Sequence, residues 1–304
     1  MNKQAKGVAP GIINRLGYVA LRVTDLDRSV KYAVEIMGLR EVVRENGASY
    51  LTCNDRHHEL VLIEASEASL DHIGLEVQSE SDMNAVRQTL ADNGFDVSDD
   101  EPAGPGVQGA FLVVGWGGFA FKVFYGMAHD QPPRYATLGE KPEKFGHVTL
   151  KVTDLPAMAA FLTDQLGFRI SDRMGTSMAW LRCNFDHHGI GLIQDDDNKI
   201  HHYAFDLQDF TAIGRVGDHL RVNGQSFIWG PGRHGPGDNL FCYFFDPEMV
   251  VVEYQADLQQ IDDEANYFAG EWVDEPITVN QWGTPPPQSF HEAGIPIRKR
   301  ITVR

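Results

Sequence analysis

Apolar and polar positions change their period along this chain in an order that recurs. Val19, Leu21 and Val23 alternate with other residues, the period of a half-buried strand. Beyond them Val30, Ala33, Val34 and Met37 fall at helical spacing, and Asp25 supplies an N-cap, so the spacing predicts a helix over about 26–37. Short strand-like runs follow to about Glu64. A second unit opens at His72, with a helix over about 81–93 that ends at Asn93-Gly94 and strands that reach Tyr125. The succession then repeats: a strand at 147–153, a helix near 155–166, strands to Ile193, a strand at 202–207, and a helix near 209–222 closed by Asn223-Gly224. Last comes GPGRHGPGDNLFCYFFDPEMVVVE, Gly230 to Glu253, an apolar strand, a turn at Asp246-Pro247-Glu248 and a returning strand. Alternation places Val251 with Glu253 on one face and Val250 with Val252 on the other. A carboxylate carried into so apolar a strand needs a partner cation or a metal, because an unpaired desolvated charge is very costly.

The recurrence is a duplication. GYVALRVTDL at 17–26 matches GHVTLKVTDL at 146–155 at an offset of 129. LTCNDRHHELVL at 51–62 matches LRCNFDHHGIGL at 181–192, and HIGLEV at 72–77 matches HYAFDL at 202–207, both at an offset of 130. GGFAFKVF lies 131 residues before EMVVVEYQ and sets Lys122 against Glu253. Near-constant offsets across four segments predict an α+β fold of four βαβββ modules in two tandem domains. The expected boundaries are 14–126 for the first domain, 127–143 for a linker containing Pro132, Pro133 and Pro142, and 144–256 for the second domain. The tail, 257–304, is expected to cover the second domain.

Composition narrows the partners. The 304 residues carry 26 Lys and Arg against 43 Asp and Glu, a net charge of -17 that argues against nucleic acid or an anionic membrane. Cys53, Cys183 and Cys242 form no CxxC, which fits a reducing cytoplasm. The N-terminal stretch shows no apolar signal region, and no run reads as a membrane span.

The chemistry is expected where the halves differ. Tyr18, His72 and Lys122 stand in the first half where the second has His147, His202 and Glu253. Two imidazoles and a carboxylate can hold a divalent metal on one face and leave positions open. Lys122 would repel such a cation, so only the second domain is expected to carry metal. Taken singly, His147 or His202 reads as a core histidine and Glu253 as an ion-pair partner; the combination at fixed offsets points to a metal. His187 and His201 read as neighbours turned to the opposite face, and Trp180 as pocket wall or core.

On GHVTLKV, CNFDHHGIGL, IHHYAFDL and the Gly230–Glu253 stretch, the chain resembles the type I extradiol ring-cleaving dioxygenases of the vicinal oxygen chelate superfamily over most of residues 14–256. The resemblance implies His147, His202 and Glu253 as ligands of Fe(II), with Mn(II) possible, His188 as acid-base residue, and His234 and Tyr243 in support. It implies meta cleavage of a catechol by O2 to a muconic semialdehyde-type product in aromatic catabolism, by a homo-oligomer of four or more chains. Members acting on dihydroxyphenylacetate place arginines where this chain has Trp229 and the arginine-free ITVNQWG. The expected substrate therefore lacks a carboxylate: an alkyl-, aryl- or hydroxy-substituted catechol of trihydroxytoluene or dihydroxybiphenyl type. Two alternatives stand beside this reading, a glyoxalase- or epimerase-like metalloenzyme of the same superfamily and a non-catalytic binder of aromatic ligands.

Overall fold

The computed structural model describes residues 7–98, 103–130 and 139–300. Pro132 and Pro133 of the expected linker, the first six residues and the last four lie outside them. Two sheets carry the fold, and each is built from two βαβββ units joined edge to edge.

In the first sheet the units are β1 (Ile13–Val23), α1 (Leu26–Glu35), β2 (Arg40–Glu45), β3 (Ala48–Thr52) and β4 (Leu60–Glu64), then β5 (Ser69–Val77), α2 (Glu80–Asp92), β6 (Asp96–Ser98), β7 (Gly109–Val114) and β8 (Ala120–Tyr125). The strand order is β2-β3-β4-β1-β5-β8-β7-β6. The second sheet repeats it with β9 (Lys144–Val152), α3 (Leu155–Ala160), β10 (Arg169–Met174), β11 (Met178–Arg182) and β12 (Ile190–Gln194), then β13 (Lys199–Asp206), α4 (Phe210–Val222), β14 (Trp229–Arg233), β15 (Leu240–Phe245) and β16 (Val251–Ala256). Both sheets are closed in the middle by an antiparallel pair, β1 with β5 and β9 with β13. The fold is α+β.

Local chemistry explains the element ends. Asp25, Ser79, Asp154 and Asp209 each cap a helix by accepting a backbone N–H three residues on, worth about 1 kcal/mol apiece. Gly94 and Gly224 follow α2 and α4 with φ of 85° and 72°, a conformation that costs an L side chain and suits glycine. One helix departs from the expected form: α3 stops at Ala160 and continues as a π-helical turn over Phe161–Gln165.

The tail runs across the open side of the second sheet. Its elements are β17 (Gly270–Trp272), which pairs with β10, the short helices α5 (Pro276–Val279) and α6 (Gln288–Glu292), and β18 (Ile295–Pro296), which pairs with β13. Both faces of β16 are buried. Val250, Val252 and Tyr254 join the main core, while Val251 packs with Trp229, Phe241, Tyr243 and Phe290 of a separate apolar cluster. No helix among the described residues is long and apolar enough to cross a membrane.

Candidate metal centre

Three neighbouring strands of the second sheet bring together His147 on β9, His202 on β13 and Glu253 on β16. Their atoms converge: His147 Nε2 and His202 Nε2 are 3.1 Å apart, and Glu253 Oε2 lies 3.0 Å from the first and 3.2 Å from the second. All three residues are buried, and among the described residues this is the one group of His, Cys, Asp or Glu so arranged.

A metal ion fits this donor set. Glu253 Oε2 is buried and, despite two close nitrogens, makes no hydrogen bond, so its lone pair has no partner within the protein. A buried carboxylate oxygen in that state is costly. Burial alone would raise the Glu253 carboxyl, but the imidazoles of His147, His202 and His234 reverse this and hold it well below the usual carboxylate range. The His202 imidazole is pushed down to about 4, by burial foremost, which keeps its nitrogen lone pair available. The other oxygen of Glu253 is oriented by the protein: Asn239 Nδ2 donates to Oε1 at 3.3 Å and to Gln255 Oε1 at 2.8 Å, and Gln255 in turn donates to Asp206. Such outer contacts fix a ligand's direction.

The remaining expected residues border the same space. A cavity of ≈ 510 Å³ is lined by all three convergent residues together with His188, His234, Tyr243, Trp180 and Trp229. His188 sits in the loop between β11 and β12, with its ring 4.5 Å from that of His147. Burial, then the imidazoles of His147 and His187, push its pKa well down, so it is neutral near pH 7. Tyr243 pairs with Glu253 across the β15–β16 hairpin. Its hydroxyl lies 2.9 Å from His234 Nε2, and His234 Nδ1 donates to the carbonyl of Val279 at 2.5 Å. Burial and the charge of Glu253 push the Tyr243 phenol well up, so it stays protonated. Trp229 stacks on Tyr243 with the rings 5.4 Å apart and 8° from parallel, and its Nε1 donates to Thr284 O. Arg233 points elsewhere, toward the Asp238 carbonyl and Asp257.

Sequence reasoning undervalued two histidines. His201 Nδ1 meets His202 Nδ1 at 2.7 Å, and His201 Nε2 donates to Phe290 O at 2.7 Å. With its Nε2 proton so used, His201 accepts from His202 Nδ1–H, which leaves His202 Nε2 bare toward Glu253. His187 makes the matching contact to His188, Nδ1 to Nδ1 at 3.0 Å. The signal was the doublet itself, HH at both places.

The first half lacks the constellation. There Tyr18 OH meets His72 Nε2 at 3.0 Å, His72 Nδ1 is bound to Asp71, and Lys122 holds the place of Glu253.

Paired βαβββ sheets with a two-histidine, one-carboxylate cluster inside one of them define a metal-dependent enzyme class. The sequence model of the Glyoxalase/Bleomycin resistance protein/Dioxygenase superfamily matches residues 15–122 and 144–254, and the chain belongs to that superfamily. The manganese-dependent 2,3-dihydroxybiphenyl 1,2-dioxygenase of Geobacillus genomosp. 3 is 27% identical over 258 residues, 77% of this chain and 82% of its own. The solved structure of the Mn(II)-bound glyoxalase from Novosphingobium aromaticivorans matches with a TM-score of 0.84 and 31% identity, over 91% of this chain and 93% of that one. Homoprotocatechuate 2,3-dioxygenase from Arthrobacter globiformis shares the fold, with a TM-score of 0.86 at 24% identity over 96% and 94% of the two chains.

Proposed function

We propose that the protein is an extradiol dioxygenase that opens a catechol ring with O2 at a divalent iron or manganese ion held by His147, His202 and Glu253. The observation that carries this reading is the unpartnered Glu253 Oε2 between two imidazole nitrogens, beside a cavity that also holds a neutral histidine and a protonated tyrosine. The bound ion would supply Lewis acidity that favours the ionised catechol and a place where dioxygen is activated. Everything else falls to the chain. His188 takes the proton of a catechol hydroxyl and returns it to oxygen as the O–O bond breaks. The Tyr243 hydroxyl, paired with His234, hydrogen-bonds the substrate oxygen and steadies it. Trp180 and Trp229 wall the ring in. The first sheet, with Lys122 and Tyr18 in the ligand places, carries no metal, so residues 14–126 serve the fold and 144–256 the chemistry.

The substrate substituent is uncharged in this reading. Lys151 is the Lys or Arg among the lining residues, and it is already engaged by Asp195 at 3.0 Å and by His291 O at 2.5 Å. Asp274 and Glu275 also line the cavity. A carboxylate entering here finds no bidentate cation and meets like charge. The volume and the apolar side chains Met174, Met178, Ile193 and Phe290 suit an alkyl or aryl group.

Protein purified without oxygen, assayed for metal and then mixed in air with a panel of catechols, is expected to take up O2 and form a yellow ring-opened product. Alkyl- or aryl-catechols should exceed carboxylate-bearing ones in kcat/KM. Absence of O2 uptake on every catechol by protein loaded with Fe(II) or Mn(II) overturns the reading. The likeness to the Mn(II)-bound glyoxalase supports a second one, isomerisation of a thiohemiacetal. It is separated by the same protein's action on methylglyoxal with glutathione, which consumes no O2.

A further inference from the structure

His187 is wholly buried and has contacts on both nitrogens. Its Nδ1 meets His188 Nδ1 at 3.0 Å, and its Nε2 lies 3.2 Å from Asp172 Oδ2, off the line of a straight hydrogen bond. Asp172 stands on β10 and is gripped by the tail: Trp272 Nε1–H donates to Oδ2 at 2.6 Å and Gly270 N–H to Oδ1 at 2.8 Å. Burial would raise this carboxyl, but His187 and the Trp272 N–H keep it below the usual range, so it is an acceptor only.

The duplicated half supplies the control. His57 and His58 repeat the Nδ1–Nδ1 contact at 3.0 Å. The position that corresponds to Asp172 is Val43, because Val43 pairs with Tyr50 as Asp172 pairs with Trp180. A carboxylate thus backs the histidine pair in the half with the convergent His147, His202 and Glu253, and a valine in the half without them.

One proton lies between two Nδ1 atoms in contact. With the Asp172 carboxylate 3.2 Å away on the far side, its negative charge favours the His187 proton on Nε2, which leaves His187 Nδ1 as a lone pair. His188 then carries its proton on Nδ1, and its Nε2 is the bare nitrogen left for the cavity.

We propose that Asp172 and Trp272, acting through His187, are positioning residues that set the tautomer of His188. This rests on the ring-cleaving reading above, in which His188 must begin as a base. With Nε2 bare it can receive the catechol proton and hand the same proton back. The opposite tautomer presents an N–H to the substrate hydroxyl and has no lone pair to offer it.

The test uses full-length protein with ring-15N histidine, loaded with redox-silent Zn(II), and reads the His188 nitrogens by NMR in the wild type, Asp172→Val and Trp272→Phe. Valine is the residue that the first half accommodates at this register, and Trp272→Phe keeps Asp172 but removes the N–H that aims its Oδ2 at His187, should Asp172→Val fold poorly. The wild type is expected to show His188 protonated at Nδ1 with Nε2 bare, and both variants to move the proton toward Nε2. In the iron or manganese holoenzyme, kcat for catechol should fall about 10- to 100-fold in Asp172→Val and less in Trp272→Phe, with KM and metal content nearly unchanged. A wild-type His188 protonated at Nε2 overturns the proposal, as does a folded variant whose tautomer and kcat match the wild type. A wild type that cleaves no catechol removes the reaction reading, while the NMR result still decides the tautomer.

Discussion

His188 carries the sharpest demand at the scale of single residues, since in the proposed reading it holds no metal yet must move a proton. His188→Phe is expected to keep its metal and bind catechol while turnover falls about 10²- to 10⁴-fold, the usual range for losing an acid-base group. Metal analysis with O2 uptake checks it, and unchanged turnover removes His188 from the chemistry. Asp246 makes a different kind of demand. Burial pushes its carboxyl up to about 7, against about 3.9 in an unfolded chain. Between those values the native state binds more proton than the unfolded one, so this group's stabilising contribution is full below about pH 4, declines as pH rises and is lost above about 7. Asp246→Asn, whose amide can still accept from Val250 and Glu248 and donate to the Tyr203 oxygen, should gain Tm relative to the wild type as pH rises through that window. That the triad, His188, His234 and Tyr243 stand around one cavity was legible in the sequence, because they differ from their duplicates or belong to a quoted motif. The Nδ1 contacts of His187 and His201 were not. Strict alternation turns His201 away from His202, but the β9–β13 register shifts between Ile200 and His202, and a bulge re-aims the side chain there. His187 lies in a loop, where alternation does not apply.

Among the elements, the repeated βαβββ order was readable from offsets alone, and the helices fall within about two residues of expectation apart from the π-helical turn after α3. What the tail does was not readable. It touches the site largely through backbone carbonyls, Val279 O on His234 and Phe290 O on His201, and any residue type supplies a carbonyl. Helix α6 tests this. The Phe290 ring packs edge-on to His201, Tyr243 and Trp229 at 4.6, 4.7 and 4.9 Å, and anchors the carbonyl that orients His201. Phe290→Ala should weaken metal binding about 10-fold, as loss of an outer contact does, measured by competition with a chelator. Wild-type affinity in that variant would show that the carbonyl stays in place without its ring.

At the scale of the whole molecule, both sheets match one superfamily, and in the proposed reading only the second binds metal. Metal should bind at one ion per chain. Removing it should lower Tm, because an ion that binds the native state alone stabilises by about 4 kcal/mol at a thousand times its dissociation constant. Glu253→Gln should show the same low Tm with or without added metal, and a variant that still responds to metal would place the binding elsewhere. The three cysteines are free and buried.

The grip of the tail has a consequence for damage. Residues 262–266 between β16 and β17 are exposed, tied down at Glu264 by Arg169 and Arg182, and a protease that cut there would touch none of His147, His202 or Glu253. It would turn the docking of Trp272, Val279 and Phe290 from an intramolecular event into an encounter between two fragments. A nicked population would then lose activity on dilution and bind its metal about 10-fold more weakly once the fragments part, because Phe290 O would no longer orient His201.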